Sequence, residues 1–217
     1  MKKMDKNLAD SRRIYKKDAL LESNISDNPM ELFQKWFLDA EEREFGEANA
    51  MNLATIGLDN FPKSRIVLLK RFTWEGFIFY TNYNSEKGKA IATNPNVSLS
   101  FFWQTLERQI IIKGVAEKLA KNLSDGYFES RPTGSKIGAW SSNQSEIIDS
   151  RDALDGQLKI QELKFDNKEI PRPEHWGGYL IKPHVIEFWQ GRPNRMHDRI
   201  RFTLLKDYSW KIERLQP

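Results

Sequence analysis

The chain has 217 residues, of which 39% are hydrophobic, 12% aromatic and 29% charged, a globular composition sized for one large domain or two small ones. Its 34 basic residues against 30 acidic ones leave a net charge of +4, too mild and too mixed along the chain to single out nucleic acid as a partner. There is no cysteine, which excludes disulfides, thiolate nucleophiles, iron–sulfur clusters and cysteine zinc sites; His175, His184 and His197 stand in no metal-ligand spacing, so no metal is expected. No strictly apolar run exceeds four residues; neither a transmembrane helix nor a signal-peptide core is expected, and the expected location is the cytoplasm.

Residues 1–19 are polar and basic and read as a mobile arm ahead of a single domain at 20–217. Within the arm, Arg12 and Tyr15 are suited to closing over an anionic or aromatic ligand. Asn28-Pro29-Met30-Glu31 is a helix start, with Asn28 as cap, Pro29 at the first helical position and Glu31 placed for a capping box. The helix runs to about Arg43, and Leu32, Phe33, Trp36 and Phe37 form its core stripe. From Met51 the period changes to that of strands. Strands are expected at 51–58, 64–71, 76–81, 97–103 and 108–117, with Asp59-Asn60 as a turn and 82–93 as a short helix or loop. A helix at 122–130 is stopped by Pro132, and a polar amphipathic helix covers 149–165. The last strands are expected at 176–181, 185–190, 199–205 and 210–215. Short strands with hairpin-like turns predict an antiparallel barrel or sandwich with helices attached. There is no strand–helix–strand rhythm, no G-x-G-x-x-G and no P-loop, so a phosphate must be held by side chains and strand ends.

Several segments carry chemistry. Arg65-Ile66-Val67-Leu68-Leu69-Lys70 places a cation at each end of an apolar run; five apart in a regular strand, Arg65 and Lys70 face opposite ways and would serve different anionic groups. Tyr127 and Arg131, i and i+4, share a helix face, and with Ser135 they make a plausible phosphate clamp at the helix end. Gln109 and Gln144 each lie near a Trp and can donate to and accept from the edge of a heterocycle. Finally, Arg195, His197 and Arg199 are spaced i, i+2, i+4, so an extended backbone would turn them to one face, with Trp189 upstream. On spacing alone a solvated strand end is the simpler account of that row.

Taken together and in order, these segments resemble the pyridoxamine 5'-phosphate oxidase family. The resemblance runs from Arg12 to Pro217. It rests on Arg65–Lys70, Phe79-Tyr80-Thr81-Asn82, Thr105-Leu106-Glu107-Arg108-Gln109, Ser130-Arg131-Pro132, Ile137-Gly138-Ala139-Trp140, Glu187-Phe188-Trp189-Gln190-Gly191, Arg195-Met196-His197-Asp198-Arg199 and the ending Arg214-Leu215-Gln216-Pro217. It implies a mainly β fold with flanking helices, an FMN-binding split β-barrel of antiparallel, Greek-key-like strands, dimerising with FMN at the subunit interface. It also implies oxidation of pyridoxamine 5'-phosphate or pyridoxine 5'-phosphate to pyridoxal 5'-phosphate, in vitamin B6 metabolism, with hydride passing to the flavin and then to dioxygen. By the same resemblance Arg65 and Lys87 bind the FMN phosphate, and the Arg65–Lys70 segment (Ile66, Val67, Leu68 and Leu69 included), Tyr80, Thr81, Gln109, Gln144, Ser145, Trp189 and Arg199 surround the cofactor. Lys70, Tyr127, Arg131 and Ser135 hold the substrate phosphate; Arg195 and His197 lie against the pyridine ring as catalytic residues; Arg12 and Tyr15 close the site. One position departs from the family: Glu86 stands where a second basic residue commonly precedes the lysine.

Two rival readings make different demands. A split-barrel flavin reductase, or a flavin-binding protein without oxidase activity, keeps the FMN positions and loses the substrate positions. A nucleic-acid-binding β-barrel interleaves aromatics with Lys and Arg on one strand face, whereas the Trp residues here sit at strand ends and turns.

Overall fold

A computed structural model of the chain describes residues 7–11 and 13–217. Among these residues the elements run α1 (Pro29–Arg43), β1 (Ala50–Ile56), β2 (Pro62–Leu68), β3 (Arg71–Thr73), β4 (Gly76–Asn82), α2 (Glu86–Thr93), β5 (Asn96–Trp103), β6 (Arg108–Lys118), α3 (Lys121–Ser130), α4 (Thr133–Ser141), α5 (Arg151–Lys164), β7 (Trp176–Gln190), β8 (Asp198–Leu204) and β9 (Trp210–Leu215). The fold is mainly β with flanking helices. No helix among the described residues is long and apolar enough to cross a membrane. The chain divides into two compact units, the first comprising residues up to Ala48, Phe102–Ile110 and Glu187–Pro217, the second Asn49–Phe101 and Ile111–Ile186.

In the first unit, α1 begins as its sequence dictates: Asn28 Oδ1 accepts the Met30 N–H at 2.9 Å and Pro29 takes the first helical position. Glu31 closes no capping box; its carboxylate instead accepts the Ser26 hydroxyl. The stripe Leu32, Phe33, Trp36 and Phe37 is buried. Phe33 and Phe37 pack on Trp103, Trp36 meets Phe188 edge-on at 5.2 Å, and Phe188 meets Phe202 of β8 at 5.7 Å. Burying each such ring contributes on the order of 2–3 kcal/mol. Arg108 lies over Trp36 at 4.5 Å and is neutralised by Asp18 and Asp39, both at 2.7 Å. Strand β8 pairs antiparallel with β9, Ile200 opposite Arg214.

In the second unit the strand order is β2-β1-β5-β6-β7-β4-β3. Antiparallel registers set Leu53 opposite Arg65 between β1 and β2, and Tyr80 opposite Gly178 between β4 and β7. Leu53, Phe77, Phe79, Leu99, Phe101, Ile112 and Ile181 are buried.

The expected strand at 64–71 is two strands. Leu69 N–H donates to Asn49 O and Lys70 N–H to Ile78 O, so the chain leaves β2 at Leu68 and rejoins the sheet as β3. Conversely, the two strands expected at 176–181 and 185–190 are one: β7 passes through Pro183 unbroken. Gly114 allows this, since a Cβ there would stand 2.3 Å from Lys182 O. Pro132 ends α3 as expected, and a further helix, α4, for which no expectation was made, starts directly after it.

Candidate functional site

Proline chemistry fixes one corner of the site. The residue before a proline is driven from helical to extended backbone, and Arg131, before Pro132, caps α3 at φ −74°, ψ 148°. Its guanidinium lies 4.4 Å over the Trp176 ring. Trp176 belongs to a set of nearly parallel rings: Tyr80 and Tyr127 stack at 3.9 Å, and Tyr80 and Trp176 at 5.5 Å. These groups border a cavity of about 680 Å³ in the second unit. Arg65, Ile66, Val67, Leu68 and Lys70 line one side of it; Tyr80, Thr81, Lys87, Tyr127, Arg131, Ser135 and Gln144 line the rest. Arg65 and Lys70 therefore share a cavity rather than facing apart, because β2 ends between them. Leu69 does not line it: its side chain is buried in the core.

The electrostatics of this cavity are one-sided. Four cations line it and no carboxylate does. Among the described residues, no Asp or Glu oxygen lies within 4.0 Å of Arg65, Lys70, Lys87 or Arg131, whereas Arg108, Arg199, Arg201 and Arg214 of the first unit are each paired with a carboxylate. Lys87 is buried; its ammonium has only neutral acceptors, Gln144 Oε1 at 2.9 Å, Thr81 Oγ1 at 3.3 Å and Ser85 Oγ at 3.4 Å. Arg65 donates to Thr55 Oγ1 at 2.8 Å and Leu53 O at 3.2 Å. Burial lowers the pKa of Arg65, Lys87 and Arg131, and raises that of the Tyr80 and Tyr127 hydroxyls. Arg131 Nη1 is buried with no hydrogen-bond partner. Buried cations are ordinarily paired, so this arrangement fits an anionic ligand, and phosphates in particular. Ser145 borders a second cavity, of about 540 Å³, which shares Arg65, Lys87 and Gln144 with the first.

The C-terminal row is built differently. Asn194 and Arg195 adopt positive φ, 57° and 61°, in a 3-10 turn after Pro193, and β8 starts only at Asp198. Arg195, His197 and Arg199 thus do not share one strand face. Arg195 is exposed. Arg199 pairs with Glu187 at 2.7 Å and donates to Gln216 O at 3.0 Å. His197 packs on Trp189, ring centroids 4.7 Å apart, and Tyr15 meets both rings edge-on at 5.7 and 5.8 Å. The Arg192 N–H donates to His197 Nδ1 at 3.1 Å, which leaves the proton of the neutral ring on Nε2. Burial first, then Arg195, lowers the His197 pKa. Gln109 is half-buried in the first unit. Arg12 lies outside the described residues.

Sequence reasoning assigned no role to Glu107, although it lies in one of the quoted segments. Its buried carboxylate accepts the N–H groups of Lys16 and Lys17 at 2.8 and 3.0 Å, which sets Tyr15 against Trp189 and His197. Gly191 makes room there: a Cβ would sit 2.8 Å from the Tyr15 Cβ. Trp176, which holds Arg131, was also missed, since a Trp at a strand start carries no mark of its cation partner.

Comparison with known proteins supplies the name of the arrangement. Residues 38–164 match the family described as "Pyridoxamine 5'-phosphate oxidase", and residues 176–217 match "Pyridoxine 5'-phosphate oxidase C-terminal dimerisation region". The chain belongs to the pyridoxamine 5'-phosphate oxidase family. It is 62% identical over 215 residues to the pyridoxine/pyridoxamine 5'-phosphate oxidase of Flavobacterium psychrophilum, covering 98% of this chain and 100% of that one. It is 50% identical over 214 residues to the enzyme of that name from Nostoc sp., covering 99% and 100%. Among solved structures it is similar to PhzG from Burkholderia lata in complex with tetrahydrophenazine-1-carboxylic acid, with TM-score 0.84 and 27% identity over 92% of this chain and 98% of that one. A pyridoxamine 5'-phosphate oxidase-related, FMN-binding protein from Nostoc punctiforme shares the fold, with TM-score 0.70, 14% identity and 89% and 100% coverage. The split β-barrel class follows, and the chain is a flavin-dependent oxidoreductase of this family. Glu86, at the position where the resemblance leads one to expect a base, carries its own counter-ion: Lys63 lies 2.5 Å away.

Proposed function

We propose that this chain oxidises pyridoxamine 5'-phosphate and pyridoxine 5'-phosphate to pyridoxal 5'-phosphate, as an FMN-dependent homodimer. The observation that carries this reading is the cavity with four cations, no carboxylate and an orphaned Arg131 Nη1. Two phosphorylated ligands need two sets of cations, and Arg65 with Lys87, and Lys70 with Arg131, supply them. Bound FMN would supply a hydride acceptor for the substrate's C4' and a route for the electrons to dioxygen as hydrogen peroxide; with the amine substrate, water hydrolyses the resulting imine to the aldehyde and ammonia.

The roles we propose for the protein groups rest on the family resemblance and, for the second unit, on the cavity they line. Arg65 and Lys87 hold the cofactor phosphate, with Gln144 and Thr81 orienting the Lys87 ammonium. Arg131, Lys70, Tyr127 and Ser135 hold the substrate phosphate, a fixed point remote from the reacting carbon that orients the pyridine ring. His197, kept neutral, offers its Nε2 proton to a ring substituent, Arg195 places positive charge beside it, and Tyr15 excludes water from that end. Trp189, Gln109 and Arg199, in the first unit, are proposed as cofactor contacts on the family resemblance alone. The matched dimerisation region, 176–217, supports pairing of two copies.

The test is anaerobic mixing of the FMN-loaded protein with pyridoxamine 5'-phosphate. The flavin absorbance should bleach and return on admitting air. A flavin band that persists after mixing would sink the oxidase reading and favour a flavin-binding protein of another activity.

A further inference from the structure

The structure assigns Lys63 to the cofactor-phosphate site as a third cation, held in place by Glu86; this rests on the reading of the Arg65–Lys87 region as that site. The smaller cavity, of about 540 Å³, is lined by Lys63, Ser64, Arg65, Glu86, Lys87, Gln144 and Ser145, three bases and one acid. Lys63 and Arg65 are two apart on β2, on the half-buried face of the strand. The Lys63 ammonium reaches Glu86 at 2.5 Å and Asp59 at 3.1 Å. An ammonium has three N–H donors. Two are engaged by these carboxylates, and the third is free to meet a phosphate oxygen.

Charge balance makes Lys63 necessary rather than decorative. A phosphate monoester carries about −1.5 to −2 at neutral pH. The three bases less Glu86 present +2 along the cavity wall, which approaches it; Asp59, outside the lining but 3.1 Å from Lys63, draws on the same ammonium. Without Lys63 the wall presents +1, and a bare carboxylate stands beside a phosphate. Glu86 by itself would oppose the cofactor; joined to Lys63 it is the anchor of a cation. The contact lowers the pKa of Glu86 and raises that of Lys63, so the pair stays charged through neutral pH.

The test is titration of FMN into the apoprotein at low salt, followed by quenching of flavin fluorescence. Lys63→Ala should weaken FMN binding about tenfold, the effect of removing one charge near a dianion at a partly solvated site. Adding Glu86→Ala to it should restore most of that loss, because the carboxylate that repels the phosphate has gone. Raising the ionic strength should shrink the effect. Riboflavin, which lacks the phosphate, should bind the wild type and Lys63→Ala alike. Equal FMN affinity for wild type and Lys63→Ala, with Arg65→Ala weakened, would overturn the assignment of Lys63 alone. Unchanged affinity in Arg65→Ala as well would overturn the location of the cofactor phosphate, and the assignment with it. Thermal melting of each variant separates a loss of fold from a loss of affinity.

Discussion

Arg131 is where chain geometry and ligand chemistry meet. Pro132 fixes its backbone, Trp176 supports its guanidinium, and one of its nitrogens is left without a partner. Lysine at this position keeps the charge and loses the planar fork. Arg131→Lys should therefore raise KM for pyridoxamine 5'-phosphate about 10- to 100-fold, the worth of one to two charge-assisted hydrogen bonds, with a smaller change in kcat. Steady-state kinetics checks this, and equal KM values would remove Arg131 from the clamp. His197 gives a pH prediction. Its folded pKa lies below 6.5, through burial and Arg195, and its Nδ1 lone pair is used by the Arg192 N–H. As pH falls below 6.5 the unfolded chain takes up this proton before the folded one, so the contribution to stability is kept above 6.5 and declines through the window down to the folded pKa. An NMR titration of the imidazole should place its midpoint below 6.5; a midpoint above that value would contradict the neutral ring. Both residues could be singled out from sequence, Arg131 by its helical spacing from Tyr127 and His197 by its neighbours. The backbone donor that sets the tautomer could not, because it depends on a 3-10 turn with two positive φ values that no local motif announces.

At the scale of elements, the arm is tied down by a buried side chain. Glu107 receives two backbone N–H groups from residues 16 and 17. Hydrogen bonds to a charged acceptor contribute about 1.5–3 kcal/mol each, so losing even one raises local opening at least about tenfold. Glu107→Ala should speed tryptic cleavage after Lys16 and Lys17 by that factor while the far-ultraviolet dichroism is retained. A cleavage rate equal to wild type would show that the arm is held by something else. The elements themselves were largely legible. Apolar periodicity located α1, and alternation located β1, β4, β5, β6, β8 and β9. What failed were the joins. The break at Leu69-Lys70 is imposed by backbone partners on Asn49 and Ile78, and the continuity of β7 through Pro183 by a glycine on β6. In each case the deciding group is far away in sequence.

For the molecule as a whole, the arginines divide into two populations. Arg108, Arg172, Arg199, Arg201 and Arg214 are neutralised by carboxylates, while Arg65 and Arg131, at the cavity, are not. Composition reports only the mild net excess of +4, because the paired majority hides the unpaired few. The sequence singled out Arg65 and Arg131 through motif and order, not through charge counting. The parallel rings of Tyr80, Tyr127 and Trp176 beside those cations have a consequence in light. Rings stacked at 3.9 and 5.5 Å couple their ultraviolet transitions, and a guanidinium resting 4.4 Å over an indole perturbs its emission. An anion that draws Arg131 off Trp176 should change the tryptophan fluorescence and the near-ultraviolet dichroism even without flavin. Inorganic phosphate added to the apoprotein should produce that change, and Trp176→Phe should abolish it. A signal that survives the substitution would come from another indole. The wall of the cavity thus doubles as a chromophore that reads out what the cations hold.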